Sequence, residues 1–247
     1  DPKNLPDSPL VKARILFSQA ELARSLRKPD EVAASLDAIC DKISPKTLGA
    51  ALLAQSADRL LERGDIKRAR EFYSELMKAF PKTELLDYAY NGNGQIALSE
   101  GKPEEALRWF TEAVDKAGAS SKLRDVTLGR AKALFALGKP EEAKPILEQV
   151  ASTREWRGEC TAEAVLLLGE ILAKNGDLQG AIQYFQRVFV AYQRYERFVG
   201  KAYLRAAECF ESLNEPDKAL EVYREALKLN PHLKDVQDAV KRLDAQQ

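Results

Sequence analysis

Gly101-Lys-Pro-Glu-Glu-Ala106 returns letter for letter at Gly138-Lys-Pro-Glu-Glu-Ala143. Looser copies extend the series: Arg27-Lys-Pro-Asp-Glu-Val32, Gly64-Asp-Ile-Lys-Arg-Ala69, Gly176-Asp-Leu-Gln-Gly-Ala181 and Asn214-Glu-Pro-Asp-Lys-Ala219. The six starts are spaced 37, 37, 37, 38 and 38 residues apart. A fixed period of this size marks a chain built from one supersecondary unit used over and over.

Each copy reads as a tight turn between two helices. Gly or Asn at the start suits a residue just past a helix end, where the backbone commonly turns left-handed. Asp65 and Asp177 are placed to cap the next helix, while Pro29, Pro103, Pro140 and Pro216 fit its first position, where no N–H is needed. Acidic pairs such as Glu104-Glu105 and Glu141-Glu142 follow at the positive end of the helix dipole.

The flanking residues predict what packs. Five residues past each turn start stand Ala69, Ala106, Ala143, Ala181 and Ala219, and four further on stand Tyr73, Phe110, Leu147, Phe185 and Tyr223. Seven residues before the turn come Ala57, Gly94, Ala131, Gly169 and Ala207. Small residues bring the paired helices close and the large one fills the gap, in a unit that buries its apolar face only by stacking on neighbours.

This pattern resembles the tetratricopeptide repeat (TPR). The resemblance rests on Leu168-Gly169, Gly176-Asp177, Ala181 and Phe185 in one copy, and on Tyr203, Ala207, Ala219, Tyr223, Ala226 and Pro231 in the next. Gly94, Ala106, Phe110 and Ala113 carry the third copy, Pro81 closes the second, and the likeness runs from residue 13 to residue 236. The period exceeds the family's ~34 residues, so extra helical turns are expected at the links between repeats. Pro145, inside a second helix, is expected to kink it. The long period is similar to that of bacterial envelope TPR proteins, which favours the periplasm, whereas three Cys without framework spacing lean towards a reducing setting.

The expected architecture is all-α: six helix-turn-helix hairpins over 10–49, 50–86, 87–123, 124–161, 162–199 and 200–231, after a loose lead-in at 1–9 and before a capping helix at 232–247. Leu233, Val236, Val240 and Leu243 give that last helix one apolar face. A right-handed superhelical solenoid is what the resemblance implies for the whole.

Composition narrows the chemistry. Ala (35) and Leu (33) dominate the 247 residues, and 38 basic groups balance 38 acidic ones. Zero net charge argues against a nucleic-acid partner. Apolar runs reach only about five residues, against the ~20 needed to span a bilayer, so no direct membrane insertion is expected. With a single His (His232) and with Cys40, Cys160 and Cys209 far from C-x-x-C spacing, no metal site, cofactor or disulfide is expected. The chain opens on Asp1 rather than Met, so a processed or shortened form is expected. No nucleophile motif or phosphate loop is present, and no catalytic residue is assigned; an enzyme subunit working through a carboxylate pair is the rival reading.

The TPR resemblance implies a concave groove lined by first helices, with a peptide or protein segment as ligand. By offset from each turn, that groove takes Arg14, Phe17, Glu21 and Arg24, then Asp58 and Glu62, then Tyr88, Asn91 and Gln95. It continues through Asp125, Lys132 and Phe135 to Glu170, Lys174, Lys201 and Glu208. Chaperone-type TPRs grip a C-terminal carboxylate with basic residues on successive first helices, but the repeat after Asn91 offers Asp125, Leu128 and Gly129. Within Tyr88-Ala-Tyr-Asn-Gly-Asn-Gly-Gln95, two Gly cost roughly 1 kcal/mol each against Ala in a helix. Three explanations stand: space for Asn91 and Gln95 to bond a peptide backbone, close helix packing, or a helix break at Asn91-Gly92. A second candidate surface collects Trp156 and Arg157 with Tyr192, Arg194, Tyr195, Arg197 and Phe198, residue types frequent at binding hot spots. The expected function is a non-enzymatic protein-binding scaffold. A solenoid that self-assembles into homo-oligomers, through a poorly capped first hairpin, is the alternative.

Overall fold

The computed structural model describes residues 8–117, 122–232 and 234–245; most of the expected lead-in, and Leu233, lie outside them. Among the described residues there are thirteen α-helices and no strand. They are α1 (Pro9–Ser25), α2 (Pro29–Lys42), α3 (Ala50–Glu62), α4 (Ile66–Ala79), α5 (Leu86–Ser99), α6 (Pro103–Ala117) and α7 (Leu123–Ala136), then α8 (Pro140–Ser152), α9 (Glu159–Lys174), α10 (Leu178–Ala191), α11 (Glu196–Ser212), α12 (Pro216–Leu229) and α13 (Lys234–Asp244). The chain divides into two compact units, Asp1–Ala133 and Leu134–Gln247; α1 packs on α2, α3 on α4 and α5 on α6 in the first, and α9 on α10 and α11 on α12 in the second. The first helix opens at Pro9, inside the segment expected to be a lead-in, because Ser8 is extended and Pro9 sits at the first helical position.

All six turn starts have left-handed backbone: Arg27 (φ 56°), Gly64 (78°), Gly101 (70°), Gly138 (72°), Gly176 (85°) and Asn214 (59°). At each, the next residue's N–H donates to a carbonyl five residues back: Lys28 to Ala23, Asp65 to Leu60, Lys102 to Ala97, Lys139 to Leu134, Asp177 to Leu172 and Glu215 to Phe210, all at 2.9–3.0 Å. These bonds satisfy the last carbonyls of the outgoing helix. Asp65 and Asp177 then accept from Arg68 N and Gly180 N at 3.3 and 2.9 Å, capping the incoming helix.

The small and large residues meet as their offsets predict. Ala69, Ala106, Ala143, Ala181 and Ala219 are fully buried, as are Tyr73, Phe110, Leu147 and Phe185. The glycines of α5 make room for rings. A Cβ on Gly92 would sit 2.1 Å from Tyr73 Cζ, and one on Gly94 2.6 Å from Phe110 Cε1. Phe110 presses on Gly129 of α7 in the same way, at 2.4 Å. One ring therefore wedges against its own hairpin and the next, and α5 runs unbroken through both glycines. Close packing accounts for them; the space beside Gly92 belongs to Tyr73 and is not held open for a ligand.

In the first unit, Leu53, Leu60, Phe72, Tyr73 and Leu76 form one continuous core with Ile39 and Ile96. In the second, Val165, Phe185, Phe198 and Tyr223 join Val236 and Leu243 of α13, which seals the last hairpin. Among the described residues, two links between repeats carry a single 3-10 turn, at Pro45–Thr47 and Arg154–Trp156. Helix α8 continues without interruption through Pro145. Cys40, Cys160 and Cys209 are buried and form no disulfide with one another; desolvation pushes the Cys40 thiol up to about 11, so it packs as a small apolar group.

Candidate functional site

The first unit carries a groove of about 920 Å³. Its walls are the end of α1 with the following turn (Arg24, Arg27, Lys28), the start of α2 (Asp30, Val32, Ala33, Leu36) and the second half of α3 (Gln55, Asp58, Arg59, Glu62). Tyr88 and Lys122 close it. Arg24 reaches Gln55 at 2.9 Å and also pairs with Glu21. Arg59 grips Asp37 with two bonds of 2.8 Å, and the hydrogen bond from Arg59 holds the Asp37 carboxyl below its ordinary range.

A buried polar chain ties the floor together. Tyr73 Oη donates to Asp58 Oδ1 at 2.7 Å, and Lys122 Nζ donates to Asp58 Oδ2 at 2.6 Å. Lys122 also lies 4.4 Å above the Tyr88 ring, and its backbone N–H donates to Asp87 Oδ2 at 3.1 Å. Burial pushes the Asp58 carboxyl up against the pull of Lys122 and Tyr73. Burial alone would lower Lys122, but the Asp58 carboxylate outweighs it and keeps the ammonium charged. Asp58 is thus spoken for by two structural partners. Lys122 lies in a link between repeats, outside the first helices mapped by offset, so the periodic signal could not reveal it.

The offset-mapped residues of this unit divide. Arg24, Asp58, Glu62 and Tyr88 line the groove. Arg14 is exposed, and Phe17 is half-buried against the core. Asn91, one helical turn from Tyr88 on the same face of α5, is only 7 % exposed. Its Oδ1 has no hydrogen-bond donor. Asn93 is satisfied within the helix, donating to Ala89 O at 2.9 Å, and Gln95 is half-buried. Asp125 pairs with Arg124 at 2.9 Å, and Lys132 is half-buried.

In the second unit, a smaller hollow of about 290 Å³ holds Phe135, Glu170, Lys174, Arg205, Glu208 and Cys209. Lys174 Nζ is 5.9 Å from the Phe135 ring centre. Glu170 receives Arg205 at 2.8 Å and Lys201 at 3.6 Å. Two residues of the second candidate surface reach the start of α9. Arg197 pairs with Glu159 at 2.8 Å, and Tyr195 Oη lies 3.2 Å from the point where a Cβ on Gly158 would stand. Arg157, Arg194 and Arg197 are exposed, while Trp156, Tyr192 and Tyr195 are half-buried, the two Tyr against the core. Phe198 does not belong to this surface: it is 7 % exposed and packs inside the unit.

Among the described residues no helix is long and apolar enough to cross a membrane, and no group of three or more His, Cys, Asp or Glu is placed to hold a metal ion.

Three family models, each described as tetratricopeptide repeat, match residues 55–121, 125–149 and 160–231. No curated protein matches the chain. Among solved structures, the chain is similar to the APC/C hetero-tetramer Cut9–Hcn1 (TM-score 0.68, 18% identity, 100% of this chain and 44% of that one). It is also similar to the type IV pilus biogenesis factor PilW (TM-score 0.67, 15% identity, 92% and 98%). A third likeness is to YrrB, described as a TPR protein with an unusual peptide-binding site (TM-score 0.55, 23% identity, 78% and 92%). At these identities the likeness speaks for the fold. With models of one repeat matching most of its length, and six left-handed turns at a regular spacing of 37 or 38 residues, the chain belongs to the tetratricopeptide repeat family.

Proposed function

We propose that this protein is a non-catalytic scaffold that holds a peptide segment of a partner protein in the groove of its first unit, across Arg24, Gln55 and Tyr88. The TPR fold is in general that of a protein-interaction scaffold. The observation that carries the finer reading is the open groove of about 920 Å³ on which Arg24, Gln55 and Tyr88 converge. A bound peptide would lie with Tyr88 as the flat apolar surface beneath it and Arg24 at the rim. The peptide-binding site named for YrrB is in keeping with this use of the fold. The arginine-bearing surface of the second unit, from Arg157 to Arg197, serves as a secondary contact.

The test is selection of a displayed random-peptide library on the whole protein, followed by titration of the enriched peptides. Tyr88→Ala and Arg24→Ala are expected to weaken them at least tenfold while the helical circular dichroism stays unchanged. Enriched peptides that bind both variants as tightly as the parent would overturn the assignment, as would a selection that enriches nothing.

A further inference from the structure

Helix α1 carries an apolar stripe turned away from its own hairpin. Val11, Ile15, Ser18, Leu22 and Ser25 follow one another at steps of four, three, four and three residues, the spacing of a helix–helix seam, and Leu26 flanks them. On the opposite side Ala13, Ala20 and Ala23 are buried. Leu22 and Leu26 are 60% and 56% exposed. At the position of Leu22, such exposure is foreign to the rest of the chain. One period on from Ile15 and Leu22 stand Leu52 and Arg59, then Ala89 and Ile96, Val126 and Ala133, Ala164 and Ile171, and Ala202 and Cys209. All the apolar ones are at most 7% exposed, and Arg59 is locked to Asp37 of the preceding hairpin. Every later first helix is covered on this face, whereas α1 leaves Leu22 exposed and Val11 and Ile15 half-buried.

We propose that a second copy of this chain covers it, with α1 packed antiparallel on α1 about a two-fold axis near Ser18. The stripe reads almost the same in both directions around the point between Ser18 and Gln19. Reversed against itself, it sets Val11 opposite Leu26 of the second copy and Ile15 opposite Leu22, with small Ser18 at the crossing. The charges agree with that order. Arg14 is exposed and makes no ion pair among the described residues, and it lies on the same flank as Glu21. In an antiparallel two-fold pair like flanks adjoin, so Arg14 comes within one turn of Glu21 of the second copy. Head-to-tail stacking does not fit, because the exposed positions of α13 include Lys234, Asp238 and Lys241. A seam of one helix falls short of the ~1,200–2,000 Å² of a strong interface, so the dimer is weak and concentration-dependent.

Sedimentation equilibrium of the full chain, from about 5 to about 500 µM, reads this directly. The mass-average is expected to rise from 27.5 kDa towards twice that value. Leu22→Lys with Leu26→Lys should abolish the rise without changing helicity, since both side chains are exposed in the monomer. Arg14→Glu should weaken the dimer several-fold, and Arg14→Glu with Glu21→Arg should restore it. A chain that stays monomeric throughout would overturn the proposal, and so would a dimer indifferent to the Leu22→Lys/Leu26→Lys pair. Failure of the charge swap to restore association would overturn the antiparallel register.

Discussion

Replacing Gly92 with Ala puts a methyl group where the Tyr73 ring already lies. The new carbon would stand 2.1 Å from Cζ and 2.3 Å from both Cε2 and the hydroxyl oxygen. Tyr73 is wholly buried and its hydroxyl is held at 2.7 Å by Asp58, so the ring withdraws only by breaking that bond. Overpacking costs about 1–3 kcal/mol, and the lost hydrogen bond adds about 1 kcal/mol. Against this, Ala in place of Gly in a helix interior returns about 1 kcal/mol. The net expectation is a loss of about 1–3 kcal/mol, read as a lower urea midpoint of the first unit's transition by circular dichroism. In a Tyr73→Leu background the clash is gone, and Gly92→Ala should stabilise by about 1 kcal/mol, a reversal of sign that measures the coupling between the two sites. A Gly92→Ala variant that is more stable than the parent would refute the reasoning, because only helix propensity would then be acting.

Other consequences are as definite. Arg27 pays for a left-handed backbone that four of the other turns give to Gly, so Arg27→Gly should stabilise by about 0.5–1 kcal/mol in urea unfolding, and Asn214→Gly by less. Lys122→Met strands the Asp58 carboxylate and should destabilise by about 2–3 kcal/mol near neutral pH, discounted for its partial exposure. Because burial raises the Asp58 pKa, that penalty should grow as pH rises through it and shrink as pH falls, which a series of urea titrations at different pH will show. Asp37 titrates with the opposite sign. Its pKa is lowered from 3.8 by the hydrogen bond from Arg59, so the stability it confers is present above that value and lost as pH falls below it. Asp37→Asn should therefore differ from the parent near neutral pH and converge with it in acid.

The turns were the most legible part of the chain, because each start needs one left-handed residue and only Gly and Asn adopt that backbone cheaply. Even the degraded copy at Arg27 was found by its spacing, and it bends as the others do. The small and large offsets identified the wedge of Tyr73 and Phe110, but Gly92 and Gly94 could not be assigned from one helix alone, since the rings that fill their space come from α4 and α6. Tyr88 and Arg24 were accessible from the period. Lys122 and the Asp37–Arg59 clasp were not, because links and second helices carry no groove-facing register and because the partners lie up to 64 residues apart. Phe198 was misplaced for a related reason: an aromatic among Arg and Tyr reads as surface until its neighbours in the fold are known.

The account stands most directly on where a bound peptide sits. Amide chemical shifts of the isotope-labelled protein, recorded while a library-selected peptide is titrated, are predicted to move at 24–33, 55–62 and 88–95 and to lose those changes in Tyr88→Ala. Shifts confined to Leu134–Gln247, or changes that persist undiminished in Tyr88→Ala, would contradict it.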